Sequence, residues 1–309
     1  MSIKIGCCGF QEARSKYYNE FPLVEIQQTF FQPPPVGTAF KWRSQAPQQF
    51  EFSVKAWQLI THEAIGTAYR NIREKLTARA IASCGHFKPT RMVFDAWRRT
   101  EAVADALKAS IIVFQTQKTF RPTHDNIKNF RNFFRRINRQ KYQIVWEPDV
   151  RWPLDTIQGL CKELNLIYTS EPLKNNFTNI GPIQYCRLRG KKGFRSRYDE
   201  EDFQKLLQID QNGTPTYFIF NNSSMLFDAR NFVHLIQNKA ETDQELPEKP
   251  NTRHTEPESG HHNTEPQTTG EKIATETENN GHQTGKQSVH VPNEAPAPGA
   301  TKETIPDAN

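Results

Sequence analysis

The sequence predicts an α/β chain folded as a (β/α)8 TIM-type barrel, with an irregular sixth crossover and a disordered C-terminal tail. Eight short apolar runs rich in Val, Ile, Phe and Tyr recur over the first 222 residues, most of them separated by stretches of helical spacing. That alternation is the pattern of parallel strands joined by helical crossovers, and eight such units close a barrel. The composition also changes abruptly near Ala240, which leaves about 240 residues upstream, close to the roughly 250 typical of one such barrel and enough for one large core.

The eight strands are expected at Ile3 to Gly9, Leu23 to Phe30, Glu51 to Ala56, Ala109 to Thr116, Tyr142 to Pro148, Leu166 to Pro172, Ile183 to Gly190 and Thr214 to Asn222. Only about a dozen residues, Phe10 to Pro22, join the first two, so the first helix is short or distorted. Pro33-Pro34-Pro35 breaks the chain after the second strand, before a helix at Ala39 to Gln45. The longest connection, Trp57 to Lys108, holds two helical stretches, Glu63 to Ser83 and Met92 to Leu107, and its length suits a lid or wall. Ile127, Phe130, Phe133, Phe134 and Ile137 give Asp125 to Arg139 an amphipathic spacing, and Lys128, Arg131, Arg135, Arg136 and Arg139 make that helix basic. Pro153 to Leu164 follows with proline in its first turn. Glu171 to Pro182 has no helical pattern, which makes the sixth crossover a loop. Asp199 to Ile209 and Ala229 to Gln237 supply the last two helices.

From Glu241 to Asn309 there is no Phe, Trp or Tyr. Such a segment buries too little apolar surface to offset its ordering entropy and reads as a disordered tail, residues 241–309, beyond a barrel of residues 1–240. Charge divides the same way: the tail holds 13 acidic and 5 basic residues, a net of −8, and the remainder 35 basic and 21 acidic, a net of +14. A surplus of that size points to nucleic acid, a phosphorylated ligand or an acidic partner, against the plainer reading of a solvated basic surface. The five cysteines, Cys7, Cys8, Cys84, Cys161 and Cys186, form neither a CxxC nor a zinc-type spacing. Their odd number and scatter fit a reducing compartment. Cys7 and Cys8 point to opposite faces of one strand, so one is either a thiol at the barrel mouth or a small buried hydrophobe. No basic apolar leader opens the chain and no run reaches a membrane span, so the expected location is cytoplasmic, with no membrane partner.

Residues two apart on a strand share a face, and polar residues on one face near a strand's C-terminal end converge on the mouth where such barrels place their chemistry. Glu25, Gln27 and Thr29 share a face of the second strand, and Ser53 and Lys55 one of the third. Gln115 ends the fourth strand, Glu147 the fifth, Arg187 and Arg189 share a face of the seventh, and Asn221 and Asn222 end the eighth. Any one of these can instead be a structural hydrogen bond or ion pair; together they are costly to bury without a ligand. His62, in Thr61-His62-Glu63, is either an acid/base group or a residue at a helix N-terminus capped by Thr61. Glu25, Glu147, Glu171 and His62 form an incomplete metal set, and no metal or other cofactor is assigned. Gly6-x-x-Gly9 is too short for a dinucleotide fingerprint. Gly190-Lys191-Lys192-Gly193, followed by Arg195 and Arg197, ends the seventh strand, where barrels often hold phosphate, and is the best anion-site candidate beside a merely flexible basic loop.

Several segments match a known pattern in order along the chain. Val24 to Phe31 (VEIQQTFF), Phe50 to Ala56 (FEFSVKA) and Ile60-Thr61-His62 resemble the VEINSTFY, FxFxVKA and ITH signatures of the DUF72 (YecE-like) family. Phe114-Gln115 resembles its FQLPPSF, Trp146-Glu147-Pro148 with Arg151-Trp152 its EFRHxSW, Tyr185 to Gly190 its YxRLHG, and Tyr217 to Asn222 its YVYFNN. The resemblance implies a TIM-type barrel in a family without an assigned activity. The chain departs from it at Cys7-Cys8-Gly9-Phe10 (for TSGW), Gln27 (for Asn), Phe31 (for Tyr), Gln117-Lys118 (for two prolines) and Arg189 (for His), all at the expected mouth.

Three functional readings follow. The first is an enzyme or ligand-binding barrel for an anionic small molecule or a nucleic-acid-derived substrate. In it Arg187, Arg189, Lys191, Lys192 and Lys55 hold the anion, Glu25 or Glu147 is the acid or base with His62, and Gln27, Thr29, Gln115, Asn221 and Asn222 orient the substrate. The second is a non-enzymatic module that binds nucleic acid through phosphate contacts. The third is a metal-dependent hydrolase or isomerase using the carboxylates and His62.

Overall fold

A computed structural model describes residues 3–149, 152–173, 178–209 and 213–244, the last five of these by backbone only. The tail expected from residue 241 therefore lies outside the described residues from 245 onward.

All eight strands form one sheet in the order β6-β5-β4-β3-β2-β1-β8-β7, with every strand pair parallel. They are β1 (Ile3–Cys8), β2 (Leu23–Ile26), β3 (Glu51–Lys55), β4 (Ile111–Thr116), β5 (Gln143–Pro148), β6 (Ile167–Tyr168), β7 (Gln184–Leu188) and β8 (Thr216–Phe220). The β1–β8 pairing rolls the sheet into a nearly closed barrel, open at the seam between β6 and β7. There β6 has only two residues, and the sixth crossover shows no helix among its described residues. An antiparallel bridge between Tyr168 and Ile180 stands in for strand pairing.

The helices pack outside: α1 (Arg14–Glu20), α2 (Gln28–Phe31), α3 (Val36–Gln45), α4 (Gln58–Thr61), α5 (Ala78–Ala82), α6 (Arg91–Leu107), α7 (His124–Arg136), α8 (Leu154–Leu164), α9 (Glu200–Leu207) and α10 (Met225–Gln244). Several of them begin at side-chain caps. Thr90 and Thr123 accept from the backbone N–H of Val93 and Asn126, and Asp199 and Asp202 form a reciprocal capping box on α9. Phe130, Phe133 and Phe134, on the inner face of α7, pack with Phe87, Phe114 and Trp146 in an aromatic layer against β4 and β5.

Three expectations change. The second strand stops at Ile26 because Gln27 turns helical (φ −76°, ψ −28°), so Thr29 lies on α2 and does not continue the face of Glu25. Its hydroxyl lies between the Ile26 carbonyl at 2.7 Å and the Lys55 carbonyl at 2.6 Å, sharing its one proton and joining the ends of β2 and β3. The helix expected over Glu63 to Ser83 is reduced to α5. Tyr69 sits in the left-handed region (φ 69°), held by its N–H to Gln58 Oε1 and its hydroxyl to the His62 carbonyl, and these tertiary anchors override the local helical pattern. Finally, α10 runs to Gln244, past the composition boundary at Ala240. Among the described residues no helix is long and apolar enough to cross a membrane.

Candidate functional site

Strand alternation sends Cys8 of β1, Glu25 of β2, Ser53 and Lys55 of β3, Glu147 of β5 and Tyr185 and Arg187 of β7 into the barrel. Cys8 stands opposite Glu25 and Glu25 opposite Ser53 in the sheet register. All are buried. The centre of the group is Arg187, 1% exposed. Its Nε and Nη2 donate to the two oxygens of Glu25 at 2.9 and 2.8 Å, and its Nη1 donates to Glu147 Oε2. This bidentate fork on one carboxylate with a third bond to another uses the planar geometry that guanidinium alone offers. Glu25 also accepts from Tyr185 Oη at 3.0 Å and Cys8 Sγ at 3.3 Å, and Ser53 Oγ lies 2.7 Å from Tyr185 Oη. Gln27, half-buried at the end of β2, places its Oε1 3.5 Å from Arg187 Nη2.

One layer outward, Arg189 pairs with Glu147 Oε1 at 2.9 Å and Asp149 Oδ1 at 3.3 Å. Burial works to raise the Glu147 carboxyl, but the charges of Arg187, Arg189 and Lys55 outweigh it and hold it below the usual carboxylate range. Burial likewise opposes the charge of Arg187, which Glu147 and Glu25 more than restore. Burial first, and then Glu25, push the Cys8 thiol well up, so it is no thiolate. The two guanidiniums of this ladder are each shared between carboxylates, Arg187 between Glu25 and Glu147 and Arg189 between Glu147 and Asp149.

Lys55 differs from all of these. It is 3% exposed, and among the described residues its Nζ makes no hydrogen bond or ion pair; it lies 3.9 Å from the centre of the Phe30 ring. Burial and the neighbouring Arg187 charge lower its amine to about 7, against the pull of Glu25 and Glu147. His62 lies beyond Phe30, with ring centres 4.9 Å apart, and its Nδ1 is 2.8 Å from Thr61 Oγ1. Burial, the Lys55 charge and that of His86 lower it to about 3, so it is neutral.

The other sequence-derived candidates lie around this group. Gln115 is half-buried at the end of β4, opposite Glu147 in the register. The Asn221 N–H donates to the Leu188 carbonyl, while Asn222 Nδ2 bonds the Ser196 carbonyl at 2.9 Å and Asp228 Oδ2 at 2.7 Å, tying down the loop after β7. Lys191 pairs with Asp202 at 2.7 Å and Asp199 at 3.7 Å, whereas Lys192 is exposed and uses its N–H to bond Ser196 Oγ. Glu171 is buried. Glu25 and Glu147 are both engaged by Arg187, and among the described residues no three His, Cys, Asp or Glu side chains form a metal-sized group. Sequence reasoning passes over Tyr185, Phe30 and Asp149, and leaves open which of Cys7 and Cys8 faces the lumen, which the structure shows to be Cys8. Tyr185 was findable by counting back two from Arg187; Phe30 reaches Lys55 only through the turn into α2.

The rim of the mouth is basic. The connection after β3 exposes Arg70, Arg73, Lys75 and Arg79, that after β4 exposes Lys118 and Arg121, and that after β7 exposes Lys191, Lys192, Arg195 and Arg197. The last loop is anchored by hydrogen bonds. Gly190 (φ 89°) leaves no room for a Cβ, which would lie 2.2 Å from the Gly193 carbonyl oxygen. The Gly190 N–H bonds Tyr198 Oη, and the Phe194 carbonyl accepts from the Ser223 N–H at 2.8 Å. The Phe194 side chain is left 58% exposed among the four basic residues.

No protein of curated function matches this sequence. Solved structures do. A DUF72 family protein from Enterococcus faecalis is 17% identical and superposes with a TM-score of 0.56, covering 76% of this chain and 97% of its own. One from Thermotoga maritima is 15% identical with a TM-score of 0.55, covering 77% and 100%. SacUVDE shares the fold at 9% identity and a TM-score of 0.51, covering 78% and 99%. The family model described as "Protein of unknown function DUF72" matches residues 9–256, so the chain belongs to the DUF72 family.

Proposed function

We propose that this barrel binds a nucleic-acid-type polyanion across its C-terminal mouth. The observation that carries the reading is the separation of charge between lumen and rim. Inside, Arg187 and Arg189 are neutralised by Glu25, Glu147 and Asp149; outside, ten exposed Lys and Arg side chains sit on the loops after β3, β4 and β7. Charges already paired and buried contribute little to a passing anion, whereas an exposed surplus of basic side chains raises the local potential and concentrates phosphate there, even with Lys191 and Arg197 drawn toward Asp202 and Asp228. Phe194 adds an exposed aromatic face within the basic loop, on which an unpaired base can stack. In this reading Glu25 and Glu147 hold the Arg187 guanidinium in place, and Gln27 and Gln115 line the floor beneath the ligand.

The test is a binding titration with fluorescein-labelled single-stranded and duplex 20-mers between about 50 and 200 mM salt. Affinity should fall steeply, with a log–log slope of roughly −3 to −5 for about five phosphate contacts. The single strand should be favoured if Phe194 stacks a base, and Phe194→Ala should then weaken it by about 1–3 kcal/mol. No detectable binding of either oligomer at about 50 mM salt rules the reading out.

A further inference from the structure

Most polar side chains of the lumen are satisfied by one another, and Lys55 is the exception. It ends β3 inside the barrel, surrounded by the charges of Glu25 from β2, Glu147 from β5 and Arg187 from β7, with Cys8 from β1 also acting on it. On its open side stand the Phe30 ring and the neutral His62. A buried ammonium facing an aromatic ring and beside a guanidinium is driven toward the free amine, which is how a lysine becomes a nucleophile at neutral pH. The rival nucleophiles nearby are occupied: the Cys8 thiol stays protonated and donates to Glu25, and the Ser53 hydroxyl is bonded to Tyr185.

We infer that Lys55 is an imine-forming residue that takes the carbonyl carbon of an aldehyde or ketone admitted through the barrel mouth. The Nζ lone pair adds to the carbonyl carbon, and the C=O π pair passes to oxygen, which takes a proton to give the carbinolamine. That intermediate expels its oxygen as water, using the second amine proton, and leaves a C=N bond to Nζ. Amine plus carbonyl thus gives imine plus water, and hydrolysis reverses it with no other reactant. The inference stands on the lumen alone and does not depend on what binds the rim.

Reductive trapping tests it on the full chain. The protein is treated briefly with formaldehyde and, separately, glycolaldehyde, each with cyanoborohydride as hydride donor at pH 7, and lysine modification is quantified by peptide mass spectrometry. An exposed lysine is neutral in only roughly one molecule in a few thousand at that pH. Lys55 should therefore be modified at least about tenfold faster than the exposed Lys118 and Lys192, and Lys55→Arg should abolish the fast site while the melting midpoint is retained. Should that variant fail to fold, trapping of the native chain decides alone. Modification of Lys55 no faster than Lys118 and Lys192, or none at all, overturns the inference, because a carbonyl substrate would have to reach the same nitrogen. Trapping unaffected in a chain that binds no oligonucleotide keeps this inference while removing the rim reading, and the converse removes only this one.

Discussion

Replacing Lys55 with methionine should stabilise the protein, and by an amount that depends on pH. The amine falls from 10.5 to about 7 on folding, chiefly through burial. At about 1.36 kcal/mol per pH unit, that is on the order of 5 kcal/mol of destabilisation when the residue is protonated in both states. The sign follows from proton counting. Below about pH 7 both states carry the proton and the full penalty applies; between about 7 and 10.5 the unfolded chain binds more protons, so stability rises with pH and the penalty fades. Methionine has no such dependence and keeps the contact with Phe30. Urea unfolding at pH 6 and pH 9.5 should show Lys55→Met ahead of the native chain by several kcal/mol at the lower pH. The gain should be about 3 kcal/mol smaller at the higher one. Contributions from titrating groups that do not feel the Lys55 charge cancel in the difference. A gain that does not change with pH, or a loss at pH 6, refutes the description of Lys55 as a desolvated amine and makes it instead a needed counter-charge for Glu25 and Glu147.

Other perturbations have equally definite outcomes. Arg187→Met strands two buried carboxylates and should cost about 3–5 kcal/mol, roughly 10 °C in melting midpoint for a domain of this size, and Arg187→Lys should recover little because it lacks the fork. Gly190→Ala forces a Cβ onto the Gly193 carbonyl oxygen and should lower the stability by about 1–3 kcal/mol while weakening oligonucleotide binding, read by urea unfolding and titration. A chain ending at Gln244 loses an acidic segment and should bind oligonucleotide about threefold tighter near 50 mM salt, with the difference vanishing near 200 mM as screening shortens the range of its charge.

The strands and the lumen charges were legible in the sequence for one reason: a period of two leaves no freedom about which side chains face inward. That rule put Glu25, Lys55, Glu147 and Arg187 together without any knowledge of contacts. It could not say which acid meets which base. The fork of Arg187 on Glu25 and the isolation of Lys55 depend on how far each side chain reaches across the barrel. Thr29 was misplaced because the chain turns at Gln27 and the Thr29 hydroxyl is then held between the Ile26 and Lys55 carbonyls, and the helix over Glu63 to Ser83 because Tyr69 is held by Gln58 and His62. In both segments tertiary partners outweigh a local pattern. The basic rim was half legible: Gly190-Lys191-Lys192-Gly193 announced itself by its position after β7, but Arg70 and Arg73 lie in a segment whose local pattern reads as a helix and which the structure leaves as an exposed loop.

In the proposed reading, position on the mouth loops, and not net charge, makes this surface bind polyanions. This is tested most directly by removing equal charge from two places. Arg70, Lys192 and Arg195 are exposed on mouth loops; Lys108, Lys128 and Lys162 are exposed on the sides and far end of the barrel. With each trio changed to Gln, the salt dependence of 20-mer binding should become shallower by about 2–3 in log–log slope for the mouth variant, and stay within error of the native chain for the other. Equal losses from both, or a loss only from the second, would contradict the account.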